Sequence, residues 1–495
     1  MSNGALKFRA NGQTTSTVVD PRFGLGNTPT MPAGWGSSGG GGTSAPVEGG
    51  PGTFVAPSGD TTGATDHLNL TRAVEDARDG KAPRTVYLDG EYYINKTWYA
   101  GQPMVSVIGS GRASTRINLV AGSNCDAVAM AGGAYRFTLM RFCIDGHSEG
   151  QTVPTDQGVG LNLTGDAGSS NADALGWRGG NVFHVEQIDT YYTKGDGVRI
   201  QGSVNEGRIW NCYAIRAGRY GFNIMAGTDF FAGGLSSGES HDHGIYWNGD
   251  GRLLWSKSWW SGYCPPRGTN PNLGKPTNTN ACGYSITGDG PQIIQCDAQD
   301  SAGYGFDIHS NGGYFTIKGD QSRNAHLRLM GSNAQIYLDV YPVAHGITTP
   351  SLVHPWNGRG NHVTISGWNG RVTSGTGAKA VVQPGASTDN DTIRTVQMGA
   401  AQKYTTYAAT ITPDYTLGGI KITLTGNITI ADPIENINGA EAEVVLTQDG
   451  TGGRTVTWGA AYAGASAVNT GAGKVNRWTF RCMGTKWVQV GFVSY

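Results

Sequence analysis

The chain has 495 residues, 79 of them glycine, and its 36 basic and 37 acidic side chains leave a net charge of -1. Glycine at that level favours turns and closely stacked backbone over helix; the near-neutral balance gives no basic footprint for nucleic acid, and no run of about 18 apolar residues is present to span a membrane. Seven cysteines (Cys125, Cys143, Cys212, Cys264, Cys282, Cys296 and Cys482) fall at no zinc-like CxxC spacing and read as buried free thiols of a reducing compartment.

The opening "MSNGALKFRANGQTTSTVVD" lacks an apolar stretch after its basic residues, so no secretory signal is expected. Residues 33–52, "AGWGSSGGGGTSAPVEGGPG", form a flexible linker, and residues 1–55 are taken together as leader plus linker. The first helical signal is "ATDHLNLTRAVEDARDGKAP", capped by Asp66 or Thr65, with Leu68, Leu70, Ala73, Val74 and Ala77 as its apolar face and Gly80 and Pro83 as its stop. "TVYLDGEYYI" then reads as strand, turn, strand.

From there to about residue 370 a repeat replaces helices. Gly-apolar-x-apolar recurs at Gly160, Gly197, Gly221, Gly244, Gly283 and Gly305, and "AHLRL" from Ala325 continues the register without the glycine. Most steps are 20–24 residues; one of the two longer ones contains "YCPPRGTNPNLGKPTNTNAC", an excursion inserted into one repeat. That period, with short alternating strands and no helix per repeat, predicts a right-handed parallel β-helix whose coils stack about 4.8 Å apart. Nine residues before the glycine stand Ile188, Cys212, Leu235 and Cys296; seven before stand Thr190, Ala214, Ser237 and Ala298, all small. Ser256 and Ser258 fill these places in the interrupted coil, and the shared phase marks an inward stack. Cys264 and Cys282 flank the excursion's base, where a disulfide is the alternative to free thiols. From residue 401 alternating strands broken by Gly, Asn, Asp and Pro predict an antiparallel β-sandwich. The division is thus 1–55, a β-helix at 56–370, a linker at 371–400 and the sandwich at 401–495.

Outward columns carry the chemistry. Two residues after the repeat glycine lie Arg199, Asn223, Tyr246, Ser285, Asp307 and Arg328, expected as a solvated face. Five before it lie Tyr192, Arg216, Glu239 and Asp300 and eight before it Asp189, Tyr213, Ser236 and Asp297, while the Ser256/Ser258 alignment puts Trp260 and Lys257 into these two columns. Aromatic faces beside carboxylates and guanidiniums suit a glycan, so Tyr192, Arg216, Tyr246, Lys257, Trp259, Trp260 and Asp297 are the candidate carbohydrate contacts. Glu239 and Asp300 fall two coils apart, about 10 Å, within reach of the 6.5–9.5 Å carboxyl spacing of inverting glycosidases. With Asp242 they are the candidate catalytic acids. A lyase would instead use Arg216, Lys257, His241 or Tyr213 as base and carboxylate clamp. His241 and His243 share one side if extended, a minor alternative for a metal; no cofactor is expected.

Two stretches carry a resemblance. "GATDHLNLTRAVEDARDGKAPRTVYLDGEYYI" resembles the entry segment of the pectate-lyase-like β-helix superfamily of bacteriophage tailspikes and depolymerases, with Asp89 where that segment usually has proline. "ITIADPIENINGAEAEVVLTQDGTGGRTVTWG" with "NRWTFRCMGTKWVQV" is similar to a C-terminal module of phage tail fibres and tailspikes. The resemblance implies an intertwined homotrimer on the virion tail, made in the host cytoplasm. Its N-terminus would join tail or baseplate proteins and its β-helix would bind and hydrolyse a bacterial surface polysaccharide. A binding-only tail fibre is the first alternative and a polysaccharide lyase the second.

Overall fold

The computed structural model describes residues 52–165, 183–340 apart from 203, 205, 226–229 and 270–274, strand segments at 352–353, 361–368, 382–383 and 392–398, and 406–495 apart from 414, 416–418, 435 and 437–440. The leader and most of the glycine-rich linker lie outside the described residues.

Helix Ala64–Arg78 packs on strands Gly90–Ile94 and Trp98–Gly101, closing one end of the helical stack. Leu70, Ala73, Val74 and Ala77 form its buried face, whereas Leu68 is turned to solvent. Neither expected residue caps it: the cap position is Gly63, and Asp60 on the preceding turn accepts from the Thr65 amide at 2.9 Å. Asp66 is instead fully buried, accepting from the Ser58 and Tyr93 amides at 2.7 and 3.0 Å, and so ties the helix to the first coil.

The expected parallel β-helix is present. An 11-stranded parallel sheet collects one strand per coil from Trp98–Gly101 to Val382–Gln383, and a larger sheet collects the others from Thr53–Val55 to Thr392–Met398. The ladders therefore begin before residue 56, and the described strands 382–383 and 392–398, paired with 352–353 and 362–368, fall where a linker was expected. A representative coil has strand Arg208–Trp210, a corner at Asn211, strand Tyr213–Ile215, a second corner at Arg216, and strand Phe222–Met225 beyond the turn. Both corners are left-handed. The first runs through Arg141, Gln187, Asn211, Gly234, Trp255 and Gln295, and the second through Tyr192, Arg216, Glu239, Trp260, Asp300 and Gln321. Left-handed φ costs a non-glycine residue about 1–3 kcal/mol. Each corner offsets this with an amide bond to the next coil, Arg216 to the Gly238 carbonyl at 2.9 Å and Glu239 to the Trp259 carbonyl at 3.0 Å.

The repeat glycines and the small residues seven before them prove to be packing partners. A Cβ on Gly221 would lie 1.9 Å from Ser237 Oγ, and one on Gly244 1.9 Å from Ser258 Oγ. At the last repeat His326, not Ala325, occupies the glycine's position, because Phe306 pairs with Leu327. Cys212, Cys296, Leu235 and Ile188 are fully buried as expected. All seven cysteines are free, so Cys264 and Cys282 do not pair; burial pushes the Cys212 and Cys296 thiols up to about 12. The column two past the glycine is not solvated: Arg199, Asn223, Ser285 and Asp307 are buried. Asp196 explains one end of it, accepting from Arg199 at 2.7 Å and Asn223 at 2.9 Å, while Asp307 pairs with Arg328 at the other.

The C-terminal region is mixed rather than antiparallel. Strands alternate between a three-stranded parallel sheet (Thr410–Ile411, Ile428–Ile430, Val456–Trp458) and a five-stranded sheet, so same-sheet neighbours such as Ile420–Leu424 and Glu441–Gln448 run parallel. Only Glu441–Gln448, Val475–Met483 and Lys486–Ser494 run antiparallel, the last two joined by a tight turn at left-handed Gly484. Trp478, Phe480, Cys482 and Trp487 fill this second core.

Candidate active site

The second corner turns its side chains outward, one per coil, and brings Tyr192, Arg216, Glu239, Trp260 and Asp300 into one column as the repeat spacing predicts. They divide into two groups. In the first, Arg216 Nε donates to Glu239 Oε2 at 2.6 Å, with both side chains about nine-tenths buried, and its other nitrogens donate to the Pro266 and Thr269 carbonyls at 3.1 and 2.6 Å. Arg267 reaches further back along the column, donating to Asp145 at 2.6 Å and lying 3.9 Å over the Tyr192 ring. These residues therefore hold the excursion down across several coils.

The second group lies two coils on. Asp300 Oδ2 accepts from Trp260 Nε1 at 3.1 Å and from Gln299 Nε2 at 3.0 Å. Gln299 pairs in register with Asp320, and the Asp300 amide donates to the Asp320 carbonyl at 3.0 Å, so the two acids sit on adjacent coils. Asp297 lies beside them with Lys257 Nζ at 3.8 Å and Lys318 Nζ at 3.7 Å. Burial first, then the negative charges of Asp300 and Asp297, raise the Asp320 carboxyl; the two lysines oppose the shift. Asp297 Oδ1 and Asp320 Oδ1 are buried without a hydrogen-bond partner among the described residues. A half-buried carboxyl with a raised proton affinity beside a carboxylate fixed by two donors is the arrangement that general acid–base chemistry requires. At the far end of the neighbouring column that holds Asp297, Asp189 is also raised by burial, but Arg112 pairs with it at 2.9 Å.

Asp320, Gln299 and Lys318 escaped the sequence reading. The column was followed only to Asp300, and the register at the last repeat was placed one residue early; a further coil would have reached Gln321 with Asp320 beside it. Trp259 and Trp260 are both half-buried, and the Trp259 ring lies across Gly238, where a Cβ would meet it at 2.5 Å. Asp242 lies outside the column: it accepts from Asn278 at 2.6 Å and contacts His241 at 3.0 Å, and the His241 bond first of all lowers its carboxyl. Tyr246 points out from the second sheet and stacks on Tyr220, as does His243, while Ile245 and Trp247 are core. No cluster of metal-ligating side chains forms among the described residues.

Fold and site together define a class: a single-chain parallel β-helix with a carboxyl cluster on an outer corner and a separate C-terminal β region. Residues 411–487 match the family described as "Putative phage tail fibre C-terminal domain", in agreement with the resemblance read from this stretch of sequence. Among solved structures, the chain is similar to full-length tailspike protein 2 from Escherichia coli O157:H7 bacteriophage CAB120, at 14% identity over 69% of this chain and 42% of that one, with a TM-score of 0.48. The enzymatically active domain of a bacteriophage CBA120 tailspike protein 2 gives 14% identity, 69% and 51% coverage and 0.49. The catalytic unit of a GH87 alpha-1,3-glucanase from Streptomyces thermodiastaticus gives 13%, 71% and 69%, and 0.41. The chain spans about half the length of the two tailspike chains. No curated protein matches.

Proposed function

We propose that this chain is a phage tailspike that binds a bacterial surface polysaccharide (capsule, exopolysaccharide or O-antigen) and cleaves it by hydrolysis during adsorption. The observation that carries the reading is the placement of Asp320, raised by burial, at the end of strand Tyr314–Asp320 beside Asp300, the corner residue that Trp260 holds. Supporting it is the tail fibre match of the C-terminal region. The N-terminal residues would join the tail or baseplate and the assembly would be a homotrimer on the virion.

In the reaction, Asp320, whose protonated form burial favours, delivers a proton to the glycosidic oxygen. Asp300, oriented by Trp260 and Gln299, faces the anomeric carbon. Adjacent coils are about 4.8 Å apart, nearer the 5–5.5 Å carboxyl spacing of retaining enzymes than the 6.5–9.5 Å of inverting ones. The bond from C1 to the leaving oxygen breaks as one forms to Asp300; water, deprotonated by Asp320, then releases the sugar. This replaces the inverting Glu239/Asp300 pair, because Arg216 holds Glu239 as the excursion's anchor. Lys257 and Lys318 flank Asp297 at 3.8 and 3.7 Å, and Trp259 and Trp260 offer ring faces to sugars. Asp320→Asn and Asp300→Asn should each lower release of reducing ends by at least about 100-fold while polysaccharide binding persists. Full cleavage by Asp320→Asn would refute the assignment; binding by the native chain with no cleavage product would make it a receptor-binding fibre.

A further inference from the structure

A second feature lies on the first strand of each coil, away from the corner that carries Asp300. A cleft of about 1120 Å³ opens there, lined among others by Arg136, His184, Arg208, Trp210, Phe231 and Arg252. Its geometry follows from register: Arg208, Phe231 and Arg252 occupy the same position on three successive coils, so the backbones of the two arginines stand about 10 Å apart along the column. Between them lies an aromatic floor. The Trp210 ring stacks on Phe231 at 5.6 Å and 13°, and it lies across Gly233, where a Cβ would meet it at 2.1 Å. Trp255, 57% exposed, meets Trp210 edge-on at 5.9 Å.

Arg208 and Arg252 are both exposed, and neither has an ion-pair partner among the described residues. Elsewhere on this β-helix the arginines of the corner and of the second sheet are spent on carboxylates: Arg112, Arg199, Arg216, Arg219 and Arg328 all pair within the chain. Glu206 and Asp250 also line the cleft, so any selectivity rests on the placed pair rather than on bulk charge. Arginine's fork binds a carboxylate through two parallel bonds, and an aromatic face between two such forks covers the apolar face of a sugar ring.

We infer that this cleft is a second glycan-binding site, separate from the carboxyl cluster, that takes an acidic polysaccharide with carboxylates on alternate sugars, one at Arg208 and one at Arg252, with the ring between them on Trp210 and Phe231. It rests on the polysaccharide-binding reading above and adds a site that holds the chain away from where it is cut.

The probe is a galacturonate oligosaccharide of at least six sugars, with its methyl ester as the uncharged control, titrated against the full chain and its Asp320→Asn variant by calorimetry and tryptophan fluorescence. The acid form should bind at least tenfold more tightly than the ester, and added salt should erode that difference. Arg208→Gln with Arg252→Gln should remove the difference, and Trp210→Ala should weaken both ligands. Equal binding of acid and ester, no binding of either, or an unchanged Arg208/Arg252 double variant would overturn the inference. So would a change in sedimentation of the double variant, which would make this face a contact between copies. If host polysaccharide is bound and cleaved while the double variant behaves as native, only this inference fails; if host polysaccharide is not bound at all, the underlying reading fails with it.

Discussion

Asp320 links stability to chemistry through one side chain. Its carboxyl holds a proton better folded than unfolded, so above the ordinary carboxylate range the native state loses stability as the group ionises; below that range both states are protonated and the cost vanishes. Asp320→Asn should therefore melt higher than the native chain at pH 7, with the gap closing toward about pH 3, while cleavage is lost. A calorimetric melt at both pH values checks this, and a lower melting temperature at pH 7 would count against the raised carboxyl. At this scale the site was only half legible. Asp300 and Asp297 are placed by counting from the repeat glycine, and Trp260 and Lys257 by aligning Ser256 and Ser258 with the inward stack, because period sets the column. The same period puts Arg216 one coil from Glu239, where the two pair; that Arg216 also holds the Pro266 and Thr269 carbonyls was not legible, since no periodicity encodes the path of the excursion.

Among elements, the coil is set by two rules visible in the residues: a glycine facing a small side chain, and a left-handed corner with an outward side chain. Gly221→Ala would drive a methyl into Ser237 and should destabilise by about 1–3 kcal/mol; Ser237→Gly in the same chain should recover part of the loss in denaturant melts. The excursion makes a separate prediction. Glu239→Gln breaks its buried ion pair with Arg216, an event that costs about 3–5 kcal/mol in comparable sites. Limited proteolysis should then cut within 264–281 far faster, with cleavage of polysaccharide reduced much less than in Asp320→Asn. The β-helix could be read ahead of the structure because its inward residues repeat in phase. The C-terminal region misled, since alternation marks a strand without saying which sheet its neighbour joins. Strands 410–411, 428–430 and 456–458 skip over intervening strands, and so run parallel.

At the scale of the whole molecule, a β-helix bearing the Asp300–Asp320 carboxyl cluster is followed by a C-terminal region that matches a phage tail fibre family over residues 411–487. A homotrimer predicts a solution mass of three 52.0-kDa chains by light scattering, and a monomeric mass would remove that part of the reading. The central claim is hydrolysis at the Asp300–Asp320 pair, and the most direct measurement is product chemistry. Purified chain is incubated with the host's surface polysaccharide, and reducing ends, unsaturated uronate absorbance and the anomeric form of the new end are followed together. Hydrolysis at this pair gives new reducing ends with retained configuration and no unsaturated product, and the reducing ends are lost in both Asp300→Asn and Asp320→Asn. Unsaturated ends, or undiminished reducing ends in either variant, would contradict it.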